Sequence, residues 1–200
     1  MSGGVSTSSS SSSSSPSPTT EEEGGKGSTF ATHVKNIALA IGTYSATLPY
    51  VKHEIALEIA RDLNGALASR LVLAPIARMS MAWTMDPYAR IARSLRLLRH
   101  DYGDDGFSFD EEVENGADGS EVRRVLRVTR CLYRDVLDEE DIPSGVLEAC
   151  CCSVDKLWFE AMADGAKGRV NFKLTTCSDD GSCSFHLQRP TQPDPVPPSS

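Results

Sequence analysis

Hydrophobic residues recur every three to four positions through the first half of the chain, and this spacing predicts four amphipathic helices. A proline near residue 75 is expected to interrupt or kink the third helix. Asp86 followed by proline is typical of a helix start and opens the fourth. The predicted helices span Thr29 or Thr32 to Leu48, Pro49 to Leu67, Leu71 to Met85 and Asp86 to His100. In the second helix, one apolar face is formed by Ile55, Ile59, Leu63 and Leu67.

After residue 100 the apolar period shortens to two, which predicts β-strands. A long turn rich in glycine, asparagine and aspartate joins the first two strands, and Ser178–Gly181 joins the last two. Two helical segments lie between these hairpins. The order predicts an α+β fold, in which N-terminal helices precede a four-stranded antiparallel sheet with inserted helices. The segments are Phe107–Glu111, Val122–Cys131, Leu132–Asp138, Val146–Met162, Arg169–Cys177 and Cys183–Gln188.

Both ends of the chain are too polar to form a core. The first 29 residues contain an unbroken serine run from Ser8 to Ser15, and the last eleven contain five prolines. Neither segment has enough apolar surface to offset the entropy of ordering. We therefore predict disordered tails at 1–29 and 190–200 and a single globular domain at 30–189, with its motif-bearing part near 100–189.

Charge is distributed unevenly along a chain of net charge −8. Lys52 to Arg99 holds eight basic and four acidic residues, whereas Asp101 to Glu121 holds nine acidic residues and no basic one. An acidic chain argues against nucleic-acid binding as the main activity. No apolar run is long enough to span a membrane, and the N-terminus does not resemble a secretory signal. We expect a cytoplasmic protein acting on a small molecule, with a plastid location as the alternative; the oligomeric state is undetermined.

All six cysteines lie in the last 70 residues, which makes them the main chemical signal. Disulfides would require an oxidising compartment, and three consecutive cysteines are awkward to pair. Thiolates suit zinc or iron, although the regular spacing of zinc sites is absent. A nucleophilic thiolate needs a base, and His186 would face the opposite side of a strand from Cys183. The remaining interpretation is that they are small buried apolar residues. The cysteines are Cys131, Cys150, Cys151, Cys152, Cys177 and Cys183.

The histidines carry a weaker signal than the cysteines. His33, His53 and His100 are single residues on predicted helices, where surface or capping roles are more common than ligation. Asp155 is more informative, because it follows Cys152 by three residues and shares a helix face with it.

Four short motifs, taken in order, resemble the family of L-2-amino-thiazoline-4-carboxylic acid hydrolases. Members of that family show an arginine-cysteine-x-tyrosine start, a cysteine-x-x-aspartate about twenty residues later, and an aspartate-x-x-cysteine-x-phenylalanine close. The match covers about residues 100–189. The matching segments here are Arg130-Cys131-Leu132-Tyr133, Cys152-Ser153-Val154-Asp155, Phe172-Lys173-Leu174-Thr175-Thr176 and Asp179-Asp180-Gly181-Ser182-Cys183-Ser184-Phe185.

The same region is also similar to the iron-containing plastid β-carotene isomerase family of strigolactone synthesis. Cys131 with Tyr133, Cys152 with Phe159, and the Asp180–Cys183 segment fill the corresponding places. The chain departs from that family because it lacks the evenly spaced cysteines after the first one, and this favours the hydrolase. The serine-rich start and the proline-rich tail favour the isomerase.

The hydrolase resemblance implies hydrolytic opening of a small cyclic C–N/C–S compound. It implies no cofactor, whereas the isomerase resemblance implies iron held by Cys131, Cys152 and Cys183. A third class, a non-catalytic domain with structural cysteines, stays open. The residues implied as catalytic are Cys131, Tyr133, Cys152, Asp155, Asp180 and Cys183, and those implied to bind an acidic substrate are Arg130 and Arg134.

Overall fold

The computed structural model describes residues 26–103, 106–176 and 182–190. Helices fill the first part of the chain and strands dominate the second, with three helices inserted between the two pairs of strands. The helices are α1 (Lys26–Thr47), α2 (His53–Arg61), α3 (Ala74–Ala82), α4 (Pro87–Tyr102), α5 (Leu132–Glu139), α6 (Ser144–Leu147) and α7 (Ser153–Gly165). The strands are β1 (Phe107–Asn115), β2 (Glu121–Cys131), β3 (Asn171–Thr175) and β4 (Cys183–Gln188).

The four strands form one antiparallel sheet in the order β1-β2-β4-β3. Each predicted hairpin is a neighbouring pair, and β2 and β4 join the two pairs through the register Val125 to His186. The predicted α+β class, with N-terminal helices and inserted helices, is confirmed. The turn Ser178–Gly181 lies outside the described residues.

One kink and two π-helical turns interrupt the helical regions of the described residues, a feature that the apolar periodicity did not predict. The second predicted helix is not continuous to Leu67, because Asn64 and Gly65 leave the helical conformation in the turn Asp62–Ala66 and Gly65 adopts φ 100°. That left-handed value favours glycine, which has no Cβ. The π-helical turns span Ser69–Leu73 and Glu148–Cys152.

One predicted helix start is wrong: the second helix begins at His53 and not at Pro49. The first predicted helix corresponds to α1, whose described part starts at Lys26. Pro75 stands in the first turn of α3, directly after the π-helical turn Ser69–Leu73, so the third predicted helix is interrupted near this proline as expected. The start of α4 is as predicted: an Asp86 carboxylate oxygen accepts a hydrogen bond of 3.0 Å from the Ala89 N–H.

Two apolar clusters form the core. The larger packs α3, α4 and α7 against one face of the sheet, around Leu126, Phe159 and Phe185. The smaller joins α1, α2, α5 and α6, around Tyr44 and Val146. The site described below lies where the two clusters meet, since Phe109 and Val128 pack against both.

The second predicted helix, which begins with α2, does not bury its predicted apolar face. Ile55, Leu63 and Leu67 are exposed, whereas Ala56 and Ala60 are completely buried. The small alanine side chains allow the neighbouring helices to approach closely. Within the described residues, no helix is both long enough and apolar enough to cross a membrane.

Candidate functional site

A partly open, mostly apolar cavity of about 50 Å³ lies between the sheet, the end of α4, the start of α5 and the α6–α7 region. Such a volume holds a few water molecules or a small organic group. Among the described residues, its polar contributions come from thiols, two tyrosines, a threonine and one carboxylate. The lining residues are Leu98, Tyr102, Phe107, Phe109, Val128, Cys131, Tyr133, Cys151, Cys152, Asp155, Leu174, Thr176, Cys183 and Phe185.

Two strand ends deliver thiols to this cavity. Cys131 is the last residue of β2, and Cys183 is the first residue of β4. Because β2 and β4 are antiparallel neighbours, with Val128 paired to Cys183, the end of one strand lies beside the start of the other. Antiparallel pairing therefore brings together two thiols that are 52 positions apart in the sequence.

The π-helical turn Glu148–Cys152 presents the cysteine triplet. Cys151 and Cys152 both reach the cavity, whereas Cys150 is buried in the smaller core cluster. Asp155 follows in the first turn of α7 and faces the same cavity. Turns of this type often occur at functional sites, because they shift side chains out of the ordinary helical register.

The carboxyl group of Asp155 is the central polar feature of the cavity. Burial raises its pKa to about 6, and a hydrogen bond from the Tyr102 hydroxyl, 2.7 Å from Oδ2, partly opposes that rise. Nearby Cys183 adds a smaller upward contribution. A carboxyl group with a pKa close to neutrality can accept and return a proton under physiological conditions.

A second tyrosine and a histidine adjoin this pair. His33 Nδ1 and the Tyr133 hydroxyl lie 2.5 Å apart, and the His33 ring contacts the rings of Tyr102 and Phe107. Burial lowers the pKa of His33, while the Asp101 backbone acts in the opposite direction. Burial also raises the pKa values of Tyr102 and Tyr133, so both hydroxyl groups remain protonated. Tyr102 and Tyr133 are therefore hydrogen-bond donors at neutral pH.

Burial shifts the pKa values of two of the described cysteines. Burial raises the pKa of Cys131, although the backbone N–H groups of Tyr133 and Arg134 at the start of α5 counteract it. Burial likewise raises the pKa of Cys150 to about 11. Such thiols need a base before they can act as nucleophiles.

A second, open groove of about 400 Å³ lies on the other side of the site. It shares Tyr102, Tyr133, Cys151 and Asp155 with the cavity, and its other walls come from α1, the Asp62–Ala66 turn, Cys150 and Val154. The shared residues border both spaces, so the groove and the cavity are adjacent. The groove therefore offers a short route between solvent and the Asp155 carboxyl group.

Comparisons of the chain with protein-family models, with curated proteins and with solved structures give no match. Both resemblances drawn from the short motifs therefore stay hypotheses. The function has to be inferred from the geometry of this site.

The structure brings five of the predicted catalytic residues to one cavity: Cys131, Tyr133, Cys152, Asp155 and Cys183. The sixth, Asp180, and the neighbouring Cys177 lie outside the described residues.

Neither predicted substrate-binding arginine lines the cavity. Arg130 forms an exposed ion pair of 2.9 Å with Asp135, and Arg134 lies 3.8 Å from Asp138. Each of these arginines has a carboxylate partner on α5, which accounts for its position without a substrate.

The thiols do not make a metal centre by themselves. In the parts of the chain that the structure describes, no group of three or more histidine, cysteine, aspartate or glutamate side chains is arranged to hold a metal ion. Iron proteins that use thiolates need several such ligands in one place. The described residues therefore do not fit the iron that the isomerase resemblance implies.

Sequence reasoning missed Tyr102 and misjudged His33. Tyr102 lay beyond the predicted end of the fourth helix at His100, although it belongs to α4. His33 was expected at the surface, yet its side chain is buried against three aromatic rings. The one available signal was Gly103, whose φ of 66° ends α4 directly after Tyr102.

Proposed function

We propose that this protein is a hydrolase that opens a small cyclic C–N/C–S compound, as the motif resemblance suggests. The observation that carries the proposal is Asp155, a carboxyl group with a pKa of about 6 in a cavity that four cysteines line. A base of this strength beside thiols is the arrangement that thiol nucleophiles require.

Cys183 is the proposed nucleophile and Asp155 its base. Electrostatic interaction between the two groups contributes to the pKa of Asp155, so they lie near each other. In the first step the thiol proton moves to the Asp155 carboxylate, the sulfur bonds to the sp² carbon of the substrate, and the π electrons of its C–N double bond move to the nitrogen. The double bond then re-forms as the ring C–S bond breaks, and Asp155 returns the proton to the departing sulfur.

Water completes the reaction. Its oxygen bonds to the same carbon, Asp155 accepts its proton, and the bond to Cys183 breaks with return of that proton to the cysteine sulfur. The remaining hydroxyl proton moves to the substrate nitrogen as the C–N double bond becomes a single bond, so the products are the opened thiol compound with a carbonyl group at the former ring carbon and the regenerated enzyme. The Tyr133 hydroxyl, hydrogen-bonded to His33, supports the developing charge on the substrate nitrogen.

The cavity suggests which substrates fit. Its walls are apolar and its volume is about 50 Å³, so it suits the small ring more than a long chain. A carboxylate on the substrate would extend into the open groove, where Asn36 and Asn64 offer amide groups. This size does not favour a long polyene, and no observation on the described residues supports the isomerase alternative.

The direct test is incubation of the purified protein with 2-amino-2-thiazoline and its 4-carboxylic acid, with mass spectrometry of the products. We expect ring opening with a rate that rises as the pH increases through about 6, because Asp155 must be ionised to accept the thiol proton. Asp155→Asn should lower the rate by at least about a hundredfold. An unchanged rate in this variant would refute the role of Asp155.

Cys183→Ser tests the nucleophile, and Cys150→Ser is the comparison variant, because Cys150 borders the open groove but does not line the cavity. We expect loss of the covalent adduct in the first variant only, while Cys150→Ser affects substrate affinity at most. Turnover by Cys183→Ser would refute the thiol step. Absence of turnover with both thiazolines in the folded wild-type protein would refute the proposed function and favour a non-catalytic domain.

A further inference from the structure

Large apolar side chains cover the surface around the end of α3. Trp83 is 85% exposed and Met85 is 99% exposed. Ile76 and Met79 are also exposed. Met79 follows Ile76 by three positions and Trp83 follows Met79 by four, so all three side chains lie on one face of the helix. Single exposed apolar residues need no explanation, but a continuous row with an exposed tryptophan at its end marks a binding surface.

Arginine side chains surround this row. Arg169 donates to the Thr84 and Met81 carbonyl oxygens at 2.7 and 2.8 Å, and Arg90 donates to the Thr84 hydroxyl at 3.3 Å. These hydrogen bonds hold two guanidinium groups beside the turn that carries Trp83 and Met85. We call Trp83, Thr84 and Met85 the α3 tip.

The charges at the α3 tip are predominantly positive. Arg189 lies there too, in a bidentate contact with Asp86, and Arg78 projects from α3 toward Asp164 at 3.3 Å. Four arginines therefore accompany two aspartates at this end of the molecule. The protein as a whole carries a net charge of −8, so this local excess of positive charge is opposite to the charge of the chain.

The exposed apolar row and the neighbouring arginines together favour one class of partner over others. A symmetric contact with a second copy would place the arginines of one tip against those of the other, which is unfavourable. The Trp83 and Met85 side chains also extend into solvent, as their exposure shows. Projecting tryptophan and apolar side chains bordered by arginine are typical of segments that lie in the interface of a membrane.

We propose that the α3 tip and the outward face of α3 dock on a lipid surface with anionic headgroups. Trp83 and Met85 enter the headgroup region, Ile76 and Met79 lie along it, and Arg78 and Arg90 contact lipid phosphates. The contact is peripheral, and it does not depend on the hydrolase activity proposed above.

Tryptophan fluorescence provides a specific test, because the chain has only two tryptophans. Trp158→Phe leaves Trp83 as the single reporter, and Trp158 is a partly buried residue that packs against the larger core cluster. Vesicles of phosphatidylcholine with about a third phosphatidylserine should shift the Trp83 emission to shorter wavelength. Pure phosphatidylcholine vesicles should shift it much less, and high salt should reverse the shift. Co-sedimentation of the wild-type protein with the same vesicles checks that the replacement has not altered the result.

Variants locate the surface. Trp83→Ala with Met85→Ala should lower partitioning into anionic vesicles by roughly tenfold or more. Arg90→Gln and Arg78→Gln should each lower it by roughly fivefold. Tyr50→Ala is the matched control, since Tyr50 is 86% exposed in the turn after α1, and it should bind like the wild type.

Several outcomes would overturn the proposal. These are equal binding to neutral and anionic vesicles, absence of any Trp83 shift, and an equal loss of binding in Tyr50→Ala. A shift of Trp83 with an acidic amphipathic peptide but not with vesicles would assign the surface to a protein partner instead. A dimer in sedimentation that dissociates on replacement of Trp83 would assign it to self-association.

Discussion

Two ionisable side chains that are largely removed from solvent, Arg124 and Asp155, have very different surroundings. Arg124 on β2 has a side chain only 5% exposed, but it contacts Glu111 and lies 2.7 Å from both carboxylate oxygens of Glu121. The Tyr88 hydroxyl adds a hydrogen bond of 2.9 Å to the same Glu121. Asp155, in contrast, lines an apolar cavity with one tyrosine hydroxyl as its hydrogen-bond donor.

The difference separates a structural charge from a chemical one. Arg124 stays charged because opposite charges compensate its burial, and this network ties β1 and β2 to α4. No cation is among the described residues of the cavity wall around Asp155, so burial shifts its pKa toward neutrality. A buried group that can change its charge near pH 6 is suited to proton transfer, whereas a compensated ion pair is suited to holding strands together.

The largest expected effect is the removal of the compensated cation. Arg124→Met leaves Glu111 and Glu121 facing each other without their shared partner, and we expect the free energy of unfolding to fall by about 2 to 4 kcal/mol. Denaturant titration followed by circular dichroism measures it. Arg123→Gln is the control, because Arg123 is an exposed neighbour 3.7 Å from Glu114, and a loss below about 0.5 kcal/mol is expected there. Equal stabilities of the two variants would contradict the comparison.

Replacement of the uncompensated carboxylate should act in the opposite direction. Asp155 has a folded-state pKa of about 6, above its usual value, so it favours folding when protonated and this contribution is lost as pH rises through about 6. Relative to Asp155→Asn, the wild type should therefore lose about 2 to 3 kcal/mol of unfolding free energy between pH 4 and pH 8.

Paired denaturant titrations at several pH values measure this difference. Asp135→Asn, which removes an exposed carboxylate on α5, should show no comparable pH-dependent gain. A difference between the wild type and Asp155→Asn that stays constant from pH 4 to pH 8 would mean that Asp155 has an ordinary pKa. The comparison with Arg124 would then fail.

The sheet could be predicted from sequence because its signals are local. Strict alternation around Phe107 and Val170 and the dense turn residues between strands fix the hairpins without knowledge of distant contacts. The helical half was harder. Large apolar residues such as Leu63 and Leu67 dominate its periodicity, yet alanines face the core, since close helix packing selects for small side chains.

The candidate site was predictable only in part. Cys131, Cys152, Asp155 and Cys183 stand in short motifs, so their types and spacing suggested chemistry before any contact was known. Tyr102 and His33 carry no such motif, and their partners Asp155 and Tyr133 are 53 and 100 positions away. Contacts over such distances depend on the packing of α1 and α4 against α5 and α7, which apolar periodicity does not determine.

The smallest effect tests the single hydrogen bond to the uncompensated group. The Tyr102 hydroxyl favours the ionised form of Asp155, so Tyr102→Phe should raise the pKa of Asp155 further, by up to about one unit. The measurement compares the single variant Tyr102→Phe with the double variant Tyr102→Phe/Asp155→Asn. The difference between their unfolding free energies changes with pH, and the midpoint of that change should move upward from about 6. Tyr133→Phe, which breaks the contact with His33 instead, should move this midpoint less. A downward movement in Tyr102→Phe would show that the hydroxyl favours the protonated carboxyl group, and the proposed base would then need another donor.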